Sequence, residues 1–205
     1  MTRSRTLNQR MRDERRDQIM SAALRLFATR GLAATKITDI VAETGISQGL
    51  LYHYFRSKED LYVALVRKAF EGMDDATCAL EKMPLSPHEK IAKAITELLR
   101  LLETNDDFAR YFMLTAQAGY SAATPDEAVA ICRRHRQGPY EAIARIMRAG
   151  QRDGSIRRHD ADELAVVFWT MIKGLAMHRA TMGRQFKAPD PRILTAVFLS
   201  EAGDR

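Results

Sequence analysis

Residues 35–61 read TKITDIVAETGISQGLLYHYFRSKEDL, from Thr35 to Leu61. The segment divides into two short helices joined by a tight turn, followed by a third helix behind its own cap. Thr35 is placed to cap the first of them, whose apolar side is Ile37, Ile40 and Val41. Gly45 supplies the positive φ that ends this helix at once. Ile46 then points into the core, and Ser47 caps the next helix. Ser47, Gln48 and Gly49 therefore form its leading end. A basic arm with Arg3, Arg5, Arg10, Arg12, Arg15 and Arg16 precedes the segment. Such a layout is suited to pushing one helix into the major groove of double-stranded DNA.

Individual residues carry that expectation unequally. Gly49 costs about 1 kcal/mol in a helix relative to Ala. Either the backbone there approaches DNA closely, or the glycine relieves crowding against the preceding helix. Leu50, Leu51, Tyr54 and Phe55 cannot all face inward on one short helix, so one or two are expected to be exposed. An exposed apolar residue on a groove-facing helix can touch a thymine methyl; Leu51 and Phe55 suit the core better. Tyr52 and His53 can donate to phosphate oxygens, although His53 equally suits a solvated surface. Ser57 caps the following helix. That places Lys58 at a positive helix terminus, unfavourable for a lone lysine and relieved by a phosphate. The arm can follow the DNA backbone or enter a minor groove, or it is a tail that only adds charge.

The rest of the chain sets bounds. Its 205 residues are 46% hydrophobic, enough for a proper core. The formal charge is +6, and residues 1–60 hold 11 Lys/Arg against 7 Asp/Glu, a net of +4. Cys78 and Cys132 lie far apart and form no CxxC pair, so neither a disulfide framework nor a metal site is expected, and a reducing cytoplasm fits. The sequence shows no signal-peptide pattern and no long apolar run, so a cytoplasmic protein with no membrane partner is expected. GxSxG, HExxH, GxGxxG and P-loop spacings are absent; no enzyme, no catalytic residue and no cofactor are expected.

Helical periodicity dominates, with no alternating runs of strand type. Ile19, Ala22, Ala23, Leu26 and Phe27 form one stripe, ended by Gly31. Ser86-Pro87-His88-Glu89, Thr124-Pro125-Asp126-Glu127 and Asp160-Ala161-Asp162-Glu163 have capping-box form. Asp190-Pro191 opens the last helix. Nine helices are predicted, near 13–30, 36–43, 47–54, 58–82, 87–103, 106–120, 125–150, 161–182 and 191–201. Gly138-Pro139 falls inside the seventh and predicts a kink or break. Leu164, Val167, Phe168, Met171, Leu175 and Met182 form an apolar stripe, and Ile193, Leu194, Val197 and Phe198 another. Phe108, Tyr111, Phe112, Gln117, Trp169 and Ile172 are candidates for a small-molecule pocket, with an ordinary core as the alternative. Trp169, the single tryptophan, needs an indole partner if buried. His178 suits a satisfied interface histidine. The run Arg133, Arg134, His135, Arg136 is either a solvated face or a seat for an anionic effector.

Phe27-Ala28, Gly31, Thr35, Ile40, Gly45, Ser47, Gly49, Tyr52, Phe55, Lys58 and Leu61 closely resemble the N-terminal domain of TetR-family transcriptional regulators. The resemblance covers about residues 13–65. Gly150, Gly154-Ser155-Ile156-Arg157 and Gly174-Leu175 look like the family's C-terminal half. Val41 and Thr44 depart from it, standing where the family usually has alanine; Val41 bears on the helix crossing.

The resemblance implies an all-α homodimer. Residues 1–56 would be the three-helix, helix-turn-helix DNA-binding domain with its arm, and residues 57–205 the effector-binding and dimerisation domain. The helices at 161–182 and 191–201 would pair with their copies. Thr35, Tyr52, His53 and Lys58 would contact phosphates, and Lys36 would join the DNA-facing set. Ser47, Gln48, Gly49 and Leu51 would lie near bases, with Gln48 pairing an adenine. The function implied is a repressor released from a palindromic operator by a small-molecule effector. A helical dimer acting through a protein partner, or a small-molecule-processing enzyme, are the competing readings.

Overall fold

Side-chain caps set most helix starts. Ser47 Oγ accepts from Leu50 N at 3.2 Å, and Ser57 Oγ from Asp60 N at 3.0 Å. Ser86 and Glu89 close a reciprocal capping box. Asp160 accepts from the amides of Asp162 and Glu163, and Asp190 from that of Arg192. Each satisfies a first-turn N–H that has no partner within its helix.

The computed structural model describes residues 2–200, with side chains from residue 9 onward. In order, the helices are α1 (Thr2–Ala34), α2 (Ile37–Thr44), α3 (Gln48–Tyr54), α4 (Lys58–Lys82), α5 (Pro87–Thr104), α6 (Asp106–Ala118), α7 (Asp126–His135), α8 (Gly138–Asp153), α9 (Ala161–Met182) and α10 (Pro191–Thr195). A 3₁₀ turn, Gly183–Gln185, follows α9. Among the described residues there is no strand, only an isolated antiparallel bridge between Ile156 and Leu199. The fold is all-α, as expected.

Four details differ from the sequence reading. First, α1 begins at Thr2, not near 13, because its arm is built of helix-compatible residues with no Gly or Pro. Arg3 and Arg5 lie outside the residues whose side chains are described. Second, Thr124 does not cap α7: Pro125 precedes that helix, and the Thr124 hydroxyl is buried. Third, of the kink or break expected at Gly138-Pro139 the structure has the break, so the one helix predicted over 125–150 is two, with Pro139 in the first turn of α8. Fourth, the last helix stops at Thr195. Arg157 N donates to Phe198 O at 2.9 Å and Ser200 N to Ser155 O at 3.2 Å, so the 155–157 loop captures the backbone that would have continued the helix. Residue 201, the predicted end, is outside the described residues.

Two hydrophobic cores result. One joins α1, α2 and α3 to Leu61, Tyr62, Leu65, Val66 and Phe70 of α4, and to Leu114, Ala118, Ala128 and Ile131 of α6 and α7. The other joins α5, α8 and α9 to the first half of α6, and takes in Leu194 and Phe198. Arg179 is buried between them and donates to Leu102 O, to Gly183 O and to the Asp106 carboxylate. The proposed division at 56/57 therefore crosses the first core.

Gly150 marks a close approach. A Cβ there would lie 2.5 Å from Ile156 Cγ1, a buried side chain with no room to retreat. Gly150→Ala should lower unfolding free energy by about 1–3 kcal/mol in chemical denaturation, the usual cost of overpacking.

Candidate nucleic-acid interface and adjoining cavities

The turn between α2 and α3 is made by Gly45, at φ 69° and ψ 12°, whose N–H donates to Val41 O at 2.9 Å. Ile40, Ile46, Leu51 and Phe55 bury beneath it and fix the pose of α3. Val41 is half-buried at the margin of this core, and Thr44 Oγ1 donates back to Ile40 O at 2.9 Å, so both departures from alanine are accommodated. What remains outside is a continuous surface of Lys36, Ser47, Gln48, Gly49, Leu50, Tyr52, His53 and Arg56. Leu50 is 37% exposed and Tyr52 46%.

Charge on this face is lopsided. The carboxylates of α2 are engaged by α1: Arg25 Nε lies 2.6 Å from Glu43 and Arg30 3.6 Å from Asp39. Asp39 also accepts from Lys36 N at 3.0 Å, which makes Lys36 the residue that starts α2. Exposed pairs of this kind stabilise little, but they neutralise the negative charge nearest the turn. Arg16 of the arm sits 5.3 Å from the centre of the Phe55 ring.

Three expected positions are corrected. Thr35 does not cap α2; it is 0% exposed and its Oγ1 donates to Gly31 O at 2.8 Å. Leu51 is 0% exposed, so it anchors α3 from beneath, while Leu50 takes the outer position. Lys58 does not wait for an anion. Its Nζ donates to Leu32 O and Thr35 O at 3.0 Å each and to Ala33 O at 3.4 Å. These carbonyls end α1, where the chain turns at Gly31 (φ 77°, ψ 167°). The negative end of one helix thus offsets the positive end of another. Gly49 has no atom within 4 Å of where a Cβ would stand, which removes crowding inside the chain as its explanation. Arg56, exposed at the end of α3, was not singled out by the sequence.

The second feature is a cavity of about 400 Å³ between α4, α5, α6 and α9. Phe108, Tyr111, Phe112 and Trp169 line it; Gln117 and Ile172 do not. Ile172 is ordinary core. Gln117 is a strut, its Nε2 donating to Ala28 O of α1 at 3.0 Å. The Trp169 indole donates to Pro139 O at 3.1 Å, which meets its need for a partner. Burial, with Asp107 and Asp17 adding, pushes the Tyr111 phenol up to about 12, so it lines the cavity as a neutral donor. A smaller cavity of about 250 Å³ adjoins the first and includes Arg133, Arg136, Tyr140 and Lys173. Arg134 is exposed, and His135 Nδ1 is 2.6 Å from Asp74. His178 is exposed, with its ring edge-on to Phe186 at 5.9 Å.

The helix α6 touches both features. Besides Gln117, its Asp107 accepts from Ser21 at 2.8 Å, and Arg25 reaches both Ser21 and Glu43 of α2. A chain of polar contacts therefore runs from the cavity wall to the turn. Among the described residues no group of His, Cys, Asp and Glu could hold a metal ion, and no helix is long and apolar enough to cross a membrane.

A buried-core helix-turn-helix with an exposed leading edge is thus mounted on a helical body with an internal cavity. Residues 19–65 match the profile of the bacterial regulatory proteins of the tetR family. The regulator BetI of Rhizobium meliloti is 32% identical over 58% of this chain and 57% of its own. The repressor KstR2 of Mycolicibacterium smegmatis is 39% identical over 34% of this chain and 38% of its own. The matched part thus spans just over half of the first relative and less than two fifths of the second. A transcriptional regulator from Saccharomonospora viridis, solved in complex with choline, superposes with a TM-score of 0.71 at 24% identity, over 92% of this chain and 100% of that one. Residues 19–65 are thus similar to the tetR-family regulators, and the chain as a whole shares the fold of the Saccharomonospora viridis protein.

Removing the ammonium of Lys58 leaves three carbonyls without their donor. Lys58→Met should lower stability by about 1.5–3 kcal/mol, the range for hydrogen bonds to charged groups. Gln48→Ala, on the open surface, should stay within about 0.5 kcal/mol of the parent in the same denaturation series.

Proposed function

We propose that this protein is a sequence-specific DNA-binding transcriptional regulator, a repressor that a small molecule releases from a palindromic operator. The observation that carries this reading is the leading end of α3. Ser47, Gln48 and Gly49 are exposed there, and open space surrounds Gly49. Gln48 is the base-reading residue, its amide suited to the N6/N7 edge of adenine. Leu50 adds a contact to a thymine methyl. Lys36, Tyr52, His53 and Arg56 hold phosphates and position the helix. Thr35, Leu51 and Lys58 act beneath this surface and not on the DNA.

A palindrome needs two copies. The outer face of α9 carries Val166, Val167 and Met177 exposed, and Ile193 and Val197 near α10 extend the apolar area. This face, not the inward stripe through Leu164 and Phe168, is the proposed dimer surface. Exposed apolar patches of this kind mark association sites. Two reading helices about 34–36 Å apart, or a multiple of one DNA turn, follow from the symmetry.

The cavity lined by Phe108, Tyr111, Phe112 and Trp169 is the proposed effector site. The ligand shifts an existing balance between domain orientations. The Gln117–Ala28 bond and the Asp107–Ser21–Arg25–Glu43 series are the contacts through which α6 biases the turn. The choline of the Saccharomonospora viridis protein is not carried over to this chain. The smaller cavity beside the proposed effector site is lined by Arg133, Arg136 and Lys173, which disfavour a cationic ligand.

Selection of bound DNA from a random pool gives the operator. Gln48→Ala should then lose about 1–3 kcal/mol of discrimination at one position per half-site, with non-specific affinity kept. Lys36→Ala should weaken binding to all sequences and reduce the salt slope by about 1. Unchanged preference and unchanged slope in these two variants would refute the assignment. Val167→Glu should convert the dimer to monomer in sedimentation equilibrium and abolish tight binding to the palindrome.

A further inference from the structure

The two cavities form one compartment graded from apolar to cationic. Met73, Phe112 and Thr115 line both, so the spaces adjoin along a common wall. Trp169 and Lys173 are one helical turn apart on α9 and share a face. Trp169 borders the larger space and Lys173 the smaller. The larger space has aromatic and aliphatic walls, and its one lysine, Lys68, is paired with Asp17 at 3.1 Å.

The smaller space is different in kind. Arg133, Arg136 and Lys173 line it, and no carboxylate does. Lys173 is half-buried, yet its Nζ meets only neutral groups, the Tyr140 hydroxyl at 2.8 Å and the Tyr140 ring at 5.2 Å. The nearby carboxylate of Asp74 is taken by His135. Among the described residues neither arginine has an ion-pair partner. A cation in the last turn of α7 suits the helix end, which accounts for Arg133. It does not account for Lys173, which comes from the middle of α9. Three like charges gathered around a partly enclosed space repel one another, and an anion reverses the sign of that energy.

We infer that the effector is an amphipathic anion, a singly headed carboxylate or phosphate on an apolar body. The body lies against Phe108, Tyr111 and Trp169, and the head sits at Lys173, Arg136 and Arg133. This rests on the effector reading of the same compartment. A quaternary ammonium could stack on the aromatic walls by cation–π attraction, but the adjoining cations oppose it.

Trp169 is the single tryptophan, so its emission reports on the larger space. The intact protein is titrated with decanoate, monodecyl phosphate, decanol and decyltrimethylammonium, each below its micelle concentration. Decanoate or monodecyl phosphate should bind at least about tenfold tighter than decanol, and whichever is tighter identifies the head. Decyltrimethylammonium should be the weakest. Lys173→Met and, separately, the exposed Arg136→Gln should erase the advantage over decanol while decanol binding stays unchanged. If decanol or the ammonium compound binds as well as the anions, or if both variants keep the anion preference, the proposal is overturned and the effector cavity stands. If none of the four probes moves Trp169 emission, the cavity reading falls and takes this proposal with it.

Discussion

Three carbonyls at and just beyond the end of α1 converge on one ammonium, and the helix-turn-helix end of the molecule depends on that convergence. Helix ends leave carbonyls unsatisfied. Here Lys58, from the first turn of α4, supplies donors to residues 32, 33 and 35. The Thr35 hydroxyl closes the same turn onto Gly31. With α1 stopped in this way, α2 leaves in one direction only, and Gly45 then fixes α3 relative to α2. A lysine that looks misplaced on its own helix is well placed for its neighbour. The pose of α3 is therefore supported from α4, outside the helix-turn-helix itself.

A second dependence runs through α6. One side of this helix faces the compartment with Phe108, Tyr111 and Phe112, and another faces α1 with Gln117 and Asp107. A ligand that shifts α6 must act on α1, because hydrogen bonds and a shared core join them. The Arg179 cluster holds the start of α6 against α5 and the end of α9. The helix is therefore anchored at its first turn, where Asp107 also meets Ser21, while Gln117 meets α1 near its other end.

Much of this was legible in the sequence because it is local. Ser47, Ser57, Ser86, Asp160 and Asp190 cap the helices that follow them, and the Gly138-Pro139 break lies close to its signal. Gly45 could be read because positive φ at a helix end has few solutions. Thr35, Lys58 and Gln117 could not be read in the same way. Each spends its polar group on a backbone carbonyl in another element or beyond a turn, and polar type alone does not distinguish that from a surface contact. Leu50 and Leu51 illustrate the limit for apolar residues: adjacent leucines on a short helix leave the inner one undecided until the core is built. The length of the last helix failed for a related reason, since a loop more than forty residues earlier in the chain competes for its backbone.

The first core also bears on where this architecture can be divided. Leu61, Tyr62, Leu65 and Val66 of α4 pack with α1 to α3, and Leu114 and Ala118 of α6 complete the same wall. A joint placed after residue 56 would separate α1 to α3 from much of their hydrophobic support. The similarity to the family runs on to residue 65, into α4, in keeping with that packing. The packed unit is longer than the motif, and even a joint placed beyond α4 leaves Leu114 and Ala118 of α6 and Ala128 and Ile131 of α7 to be matched. A graft onto α1 to α4 would therefore need compatible surfaces on both α6 and α7, so that the turn-bearing helices and the inner face of the helical body are constrained as one.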